Sequence, residues 1–104
     1  MIDAVKISKA LSDPTRYQIL QMLAKSEEGC CPLPGAEGGR PGLCNCEFMD
    51  RLGMIQSRVS YHMKELADAG LVTEKPHGKW KIYYLNAAAL GQYIDQLNRD
   101  FSLK

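Results

Sequence analysis

Four cysteines, Cys30, Cys31, Cys44 and Cys46, fall within 17 positions of one another in a chain of 104 residues. Thiols gathered this closely either hold a soft ion as thiolates or exchange electrons through a disulfide. A secreted chain would read as two disulfides, whereas in a reducing compartment the cluster points to metal or redox chemistry. Sulfur is a soft ligand, so the ions it suits are thiophilic, not magnesium or calcium. Three sulfurs match trivalent arsenic or antimony, and four better suit cadmium, lead or zinc. The adjacent pair Cys30-Cys31 does not easily turn both sulfurs toward one ion, which favours three ligands: Cys44, Cys46 and one of Cys30 or Cys31. Use of all four as small buried apolar residues is the weaker reading, because Cys30, Cys31 and Cys44 sit in or beside a polar loop. A disulfide switch remains the competing chemistry. Residues two apart on a helix point to different sides. Cys44 and Cys46 therefore converge only if the chain is extended there or if a first helical turn opens.

The elements around these thiols can be read in order. Ile2, Val5, Ile7, Ala10 and Leu11 form an apolar stripe on a first helix over residues 2–11. "SDPTR" restarts the chain, with Asp13 as N-cap and Pro14 at the first position of a second helix running to about Lys25. From Gly29 to Leu43 the sequence carries five glycines and three prolines, which argues for a loop insertion without helix or strand. A short helix over about Glu47–Leu52 follows, and Gly53 turns it into "MIQSRVSYHMKELADAG". Val59, Met63, Leu66 and Ala67 keep one face of that helix in the core, and Gly70 stands where a left-handed cap is wanted. Beyond it, "LVTEK" and "WKIYYLN" flank the turn signal "PHGK" as a β-hairpin, with Lys75, Lys79 and Lys81 near its tip. Tyr83 and Tyr84 face opposite sides of the strand, so one belongs to the core and the other is unassigned. Asn86 caps a last helix whose apolar face is Leu90, Tyr93, Ile94, Leu97 and Phe101.

This order describes one α+β domain over residues 1–104, mainly α, with about five helices and one hairpin: a winged helix–turn–helix. The second helix of the pair suits the major groove, because short polar side chains at its front reach base edges while Arg and Lys meet phosphates. The candidate DNA-binding residues are Gln56, Ser57, Arg58, Ser60, Tyr61, His62 and Lys64, with Lys79 of the wing. Taken alone, the stretch is no more than an amphipathic surface helix; its neighbours give it a purpose. The first and last helices carry more apolar surface than one small domain needs, which predicts a homodimer through Ile2, Val5, Leu90, Tyr93, Ile94, Leu97 and Phe101.

A net charge of +1 makes the chain no polycation, but a locally basic face is enough for nucleic acid. No apolar run is long enough to span a bilayer, and "MIDAVKISKALSD" lacks the pattern of a signal peptide, so a cytoplasmic protein with no membrane partner is expected. Two other classes fit less well. Cys46 and His62 could be drawn as a nucleophile and base, yet no orienting group or oxyanion motif accompanies them. A metal-storage protein would explain the cysteines and leave the winged helix without purpose.

The segments "LSDPTRYQIL", "LCNCEFMDRLG", "SRVSYHMKELADAGLV" and "GKWKIYYLN" together resemble the ArsR/SmtB family of dimeric metal-responsive repressors, in the family's order and over nearly the whole chain. The resemblance implies a homodimer on palindromic double-stranded operator DNA, released when an inducer binds, with no organic cofactor. Members that sense arsenite, antimonite, cadmium or lead place a Cys-x-Cys where Cys44-Asn45-Cys46 stands. Some arsenite sensors add a cysteine where this chain has Met49, so the third thiolate would come from Cys30 or Cys31. The family's frequent "SQ" at the start of the recognition helix is Ile55-Gln56 here, without a hydroxyl N-cap. Its other site, on the terminal helix, uses histidine; this helix has Asp95 and Asp100 but no histidine. Ion binding is then expected to pull the helix after Cys44 toward the loop and reorient the recognition helix, where 1–3 kcal/mol of coupling, as is typical of allosteric sites, is about what release requires.

Overall fold

The computed structural model describes residues 2–25 and 42–103. Cys30 and Cys31, and the expected insertion as far as Pro41, lie outside the described residues. Helix α1 spans Ala4–Leu11, α2 Pro14–Ala24, α3 Asn45–Leu52, α4 Gln56–Asp68 and α5 Ala87–Asp100. Strands β1 (Leu43–Cys44), β2 (Val72–His77) and β3 (Trp80–Leu85) form one antiparallel sheet in the order β1-β3-β2. The mainly helical winged fold expected from the sequence is the fold observed.

Each helix begins and ends where its local chemistry dictates. Asp13 Oδ1 accepts from the amides of Thr15 (2.8 Å) and Arg16 (3.1 Å), and Pro14 takes the first position of α2, where no N–H is needed. Gly53 ends α3 at φ 63°, and α4 begins after Ile55, which makes no side-chain cap bond, as the missing hydroxyl implied. At the far end of α4 the Leu71 amide donates to Leu66 O (3.0 Å) and the Gly70 amide to Ala67 O (2.9 Å), with Gly70 at φ 79°. That bond pair is the Schellman closure, and it needs the left-handed glycine. Asn86 caps α5 and also donates to Gly70 O at 2.9 Å, so one side chain joins the end of α4 to the start of α5.

Ile7, Ile19, Leu23, Leu43, Phe48, Val59, Met63, Leu66 and Leu71 are fully buried in one cluster between the helices and the sheet. One expectation needs correction here. Leu43 is not loop: Leu43 pairs with Tyr83 and Cys44 with Ile82, adding a third strand to the hairpin. A two-residue strand has no sequence period of its own and forms because the free edge of β3 offers hydrogen bonds. Gly42 permits this approach, since a Cβ there would lie 2.7 Å from both Ile82 Cγ2 and Tyr84 Cε1. Tyr83 and Tyr84, of which one was expected in the core and the other was unassigned, are both buried. Tyr83 meets the Phe48 ring edge-on at 6.3 Å, while Tyr84 lies beneath the chain at Gly42 with Lys75 Nζ 5.9 Å from its ring centre.

Candidate functional site

The thiols resolve their helical conflict by straddling a boundary. Cys44 is extended, at φ −71° and ψ 149°, and is at once the last residue of β1 and the N-cap of α3. Cys46 lies in the first turn of α3. Its Sγ donates to Cys44 Sγ at 2.8 Å, and its backbone amide points at the same sulfur from 3.4 Å. Sulfur thus stands where an N-cap oxygen usually sits. The separation falls between a disulfide at about 2.05 Å and the roughly 3.7 Å of two thiolates sharing a tetrahedral ion at about 2.3 Å. The pair would open by about 1 Å to hold an ion. Among the described residues no group of three histidine, cysteine or carboxylate side chains converges, so this pair supplies two donors and a third must come from elsewhere. Thiophilic chemistry fits the donors that are present.

Asn45, between the cysteines, is buried, and no motif or periodicity had marked it for a role. Its Oδ1 accepts from the Lys81 amide at 3.1 Å and from the Cys44 thiol at 3.6 Å. Lys81 belongs to the wing.

The candidate DNA-reading face is formed by α4. Gln56, Ser57, Arg58, Ser60, Tyr61 and Lys64 are exposed along it, while Val59, Met63 and Leu66 are buried. His62 does not belong to that face: its side chain is 3% exposed and packs inward. The reason was legible, since His62 shares the i, i+3, i+4, i+7 stripe of Val59, Met63 and Leu66. Arg16 was missed in the same way, on the stripe of Ile19, Leu20 and Leu23. Its Nε donates to Ala10 O at 2.8 Å, and its Nη1 lies 3.3 Å from His62 Nδ1. A guanidinium only donates, so Nδ1 accepts and the ring is neutral with its proton on Nε2, which has no hydrogen-bond partner among the described residues. The Arg16–His62 contact fixes the recognition helix to α2.

Burial holds the His62 pKa below its usual value, aided by the Arg16 and Arg58 charges against the opposing pull of Asp13 and Glu65. A histidine depressed on folding binds fewer protons folded than unfolded. Its contribution to stability is therefore present above the unfolded value of about 6.5 and lost as pH falls toward the folded one. The urea midpoint of the native protein should drop between pH 7.5 and pH 5.5, and His62→Gln should flatten that drop. An equal decline in both proteins would remove His62 as its cause.

The wing joins β2 to β3 through Gly78, at φ 62°, and Lys79. Lys79 Nζ stands 5.4 Å from the Trp80 ring centre, holding a cation at the tip. Lys81 pairs with Glu74 at 3.3 Å, which tempers the positive charge farther back. Tyr83, whose hydroxyl pKa is raised to about 12 by burial and then by Glu74, stays a neutral phenol.

Along the first and last helices, Val5, Ile94 and Phe101 are exposed by 79%, 57% and 68%, with Ile2, Leu90, Tyr93 and Leu97 half-buried. Tyr93 Oη and Ser8 Oγ lie 2.7 Å apart and bind α5 to α1. Asp100, on α5, accepts from Gln96 Nε2 at 3.0 and 3.1 Å.

A helix–turn–helix with an exposed polar second helix and a basic hairpin wing is the architecture of a DNA-binding protein. The chain belongs to the arsR family of bacterial regulatory proteins. The family model described as "Bacterial regulatory protein, arsR family" matches residues 37–74. The chain is 31% identical over 99 residues to the HTH-type transcriptional regulator YbzH of Bacillus subtilis (strain 168), covering 95% of this chain and 99% of that protein. It is 35% identical over 92 residues to the arsenical resistance operon repressor of Staphylococcus aureus, covering 88% of this chain and 74% of that one. Its fold is shared with the homodimeric winged helix-turn-helix DNA-binding domain of Mb0332 from Mycobacterium bovis, at TM-score 0.64 and 20% identity over 96% of this chain and 81% of that one. The protein is a transcriptional regulator, not an enzyme. No described helix is long and apolar enough to cross a membrane.

Proposed function

We propose that two copies of this chain form a cytoplasmic repressor on palindromic operator DNA. Operator is released when one thiophilic ion per subunit, arsenite or antimonite foremost, is held by Cys44, Cys46 and a thiolate from Cys30 or Cys31. One observation carries the reading: the Cys44 and Cys46 sulfurs converge to 2.8 Å at the start of α3, the helix that turns through Gly53 directly into the recognition helix. The name of the Staphylococcus aureus relative supports a metalloid inducer, and the exposed apolar residues of α1 and α5 support the dimer. Cadmium or lead would recruit the same two sulfurs. The short sulfur–sulfur distance also favours a second reading, in which an oxidant takes two electrons, two protons leave and the pair closes into a disulfide.

DNA binding is tested by retardation of a palindromic fragment against a scrambled one. Arg58→Ala or Ser60→Ala should weaken the palindrome by about 1–3 kcal/mol if the side chain reads a base. Lys79→Ala should weaken all sequences alike and flatten the salt dependence. Unchanged affinity and salt slope in all three variants would remove α4 and the wing as the DNA surface.

A further inference from the structure

We propose that Asn45 transmits ion binding to the wing through its hydrogen bond to the Lys81 backbone, an inference that rests on the ion-release reading above. Asn45 follows β1 directly, and its side chain continues the β1–β3 ladder by one rung. After the pairs Leu43–Tyr83 and Cys44–Ile82, the next donor along β3 is the Lys81 amide, and Asn45 Oδ1 takes it at 3.1 Å. That amide points away from β2, where its register partner Pro76 has no N–H to offer in exchange. A backbone amide can only donate, so the oxygen of Asn45 faces Lys81.

The same oxygen accepts the Cys44 thiol at 3.6 Å. Thiols bind arsenite as thiolates: each arsenic–sulfur bond replaces an arsenic–hydroxyl bond, and the thiol proton leaves with that hydroxyl as water. At Cys44 this removes a donor to Asn45 Oδ1 and sets an electron-rich sulfur against an oxygen that is itself an acceptor. The sulfurs, one on each side of Asn45, must also part from 2.8 Å to share the ion. Both changes strain one bond, and its far end lies in β3, the strand that begins at Trp80 directly after Lys79 of the wing tip. The signal therefore reaches the wing directly, in parallel with any motion of α3 against α4. Asn45 is a positioning residue.

Two measurements test this, with arsenite as the probe and thiolate absorbance reporting its binding. In the native protein, hydrogen exchange of the Lys81 amide should accelerate at least about tenfold once arsenite is bound, while amides in the middle of α2 stay protected. Unchanged Lys81 exchange in the arsenite-loaded protein would overturn the proposal, and this measurement needs no variant. The second uses Asn45→Ala. It should keep the arsenite–thiolate absorbance, bind operator more weakly than the native protein before arsenite is added, and lose less than about threefold further afterwards. A variant that keeps the full native ratio of operator affinities with and without arsenite would overturn the role of Asn45 alone. Native protein that gives no arsenite–thiolate absorbance would instead overturn the ion-site reading, and this inference with it.

Discussion

Replacing Cys44 or Cys46 with serine should leave operator binding close to that of the native protein and abolish release by arsenite. The separation of effects follows from the position of Cys44. As N-cap of α3 it accepts the Cys46 amide, and a serine hydroxyl fills that position at least as well. Helix α3 and the turn into α4 should therefore survive. What is lost is softness, since a hydroxyl neither ionises at neutral pH nor competes with a thiolate for a thiophilic ion. The variants are compared by fluorescence anisotropy of labelled operator across an arsenite series. Native release with little or none in either serine variant is the expected pattern. Single changes at Cys30 or Cys31 should be milder if these substitute for each other, and the double change should remove the response.

Ile94→Asp should convert a dimer to a monomer and abolish specific operator binding. Ile94 is 57% exposed in the isolated chain, so an aspartate there leaves the monomer fold intact. In a symmetric interface every such side chain counts twice. Burying one large aliphatic residue contributes about 1.5–3 kcal/mol, and an unpaired buried carboxylate costs about 3–5 kcal/mol. Both contributions appear on each side of the two-fold axis, more than a small dimer can lose. Sedimentation should report one chain where the native protein reports two, with circular dichroism unchanged. An Ile94→Asp protein that remains dimeric would move the interface off α5.

The sequence was most informative where local chemistry acts alone. Asp13-Pro14, Gly53, Gly70 and Asn86 marked helix ends because capping satisfies the chain's own backbone groups and needs no distant partner. Strand β1 was hidden because it exists only against the open edge of β3, and a two-residue strand behind a glycine- and proline-rich run shows no period. His62 was misplaced, and Arg16 passed over, for another reason: both sit on buried helical stripes, although their residue types are more often found at a surface. Periodicity was the better guide in both cases. The cysteine pair was visible from spacing, and the geometric requirement for an extended Cys44 was met by making it strand end and helix cap together. Asn45 was not, because an amide becomes informative only when its acceptor oxygen is known to face a particular backbone donor.

Ion binding at the Cys44–Cys46 pair and operator binding should oppose each other. The most direct measurement is a titration of arsenite into the reduced protein bound to labelled operator, following thiolate absorbance and anisotropy in the same sample. The two signals should move together and both finish at one ion per subunit. Absorbance that saturates while the anisotropy of the operator complex stays constant would show that the ion site does not control DNA release.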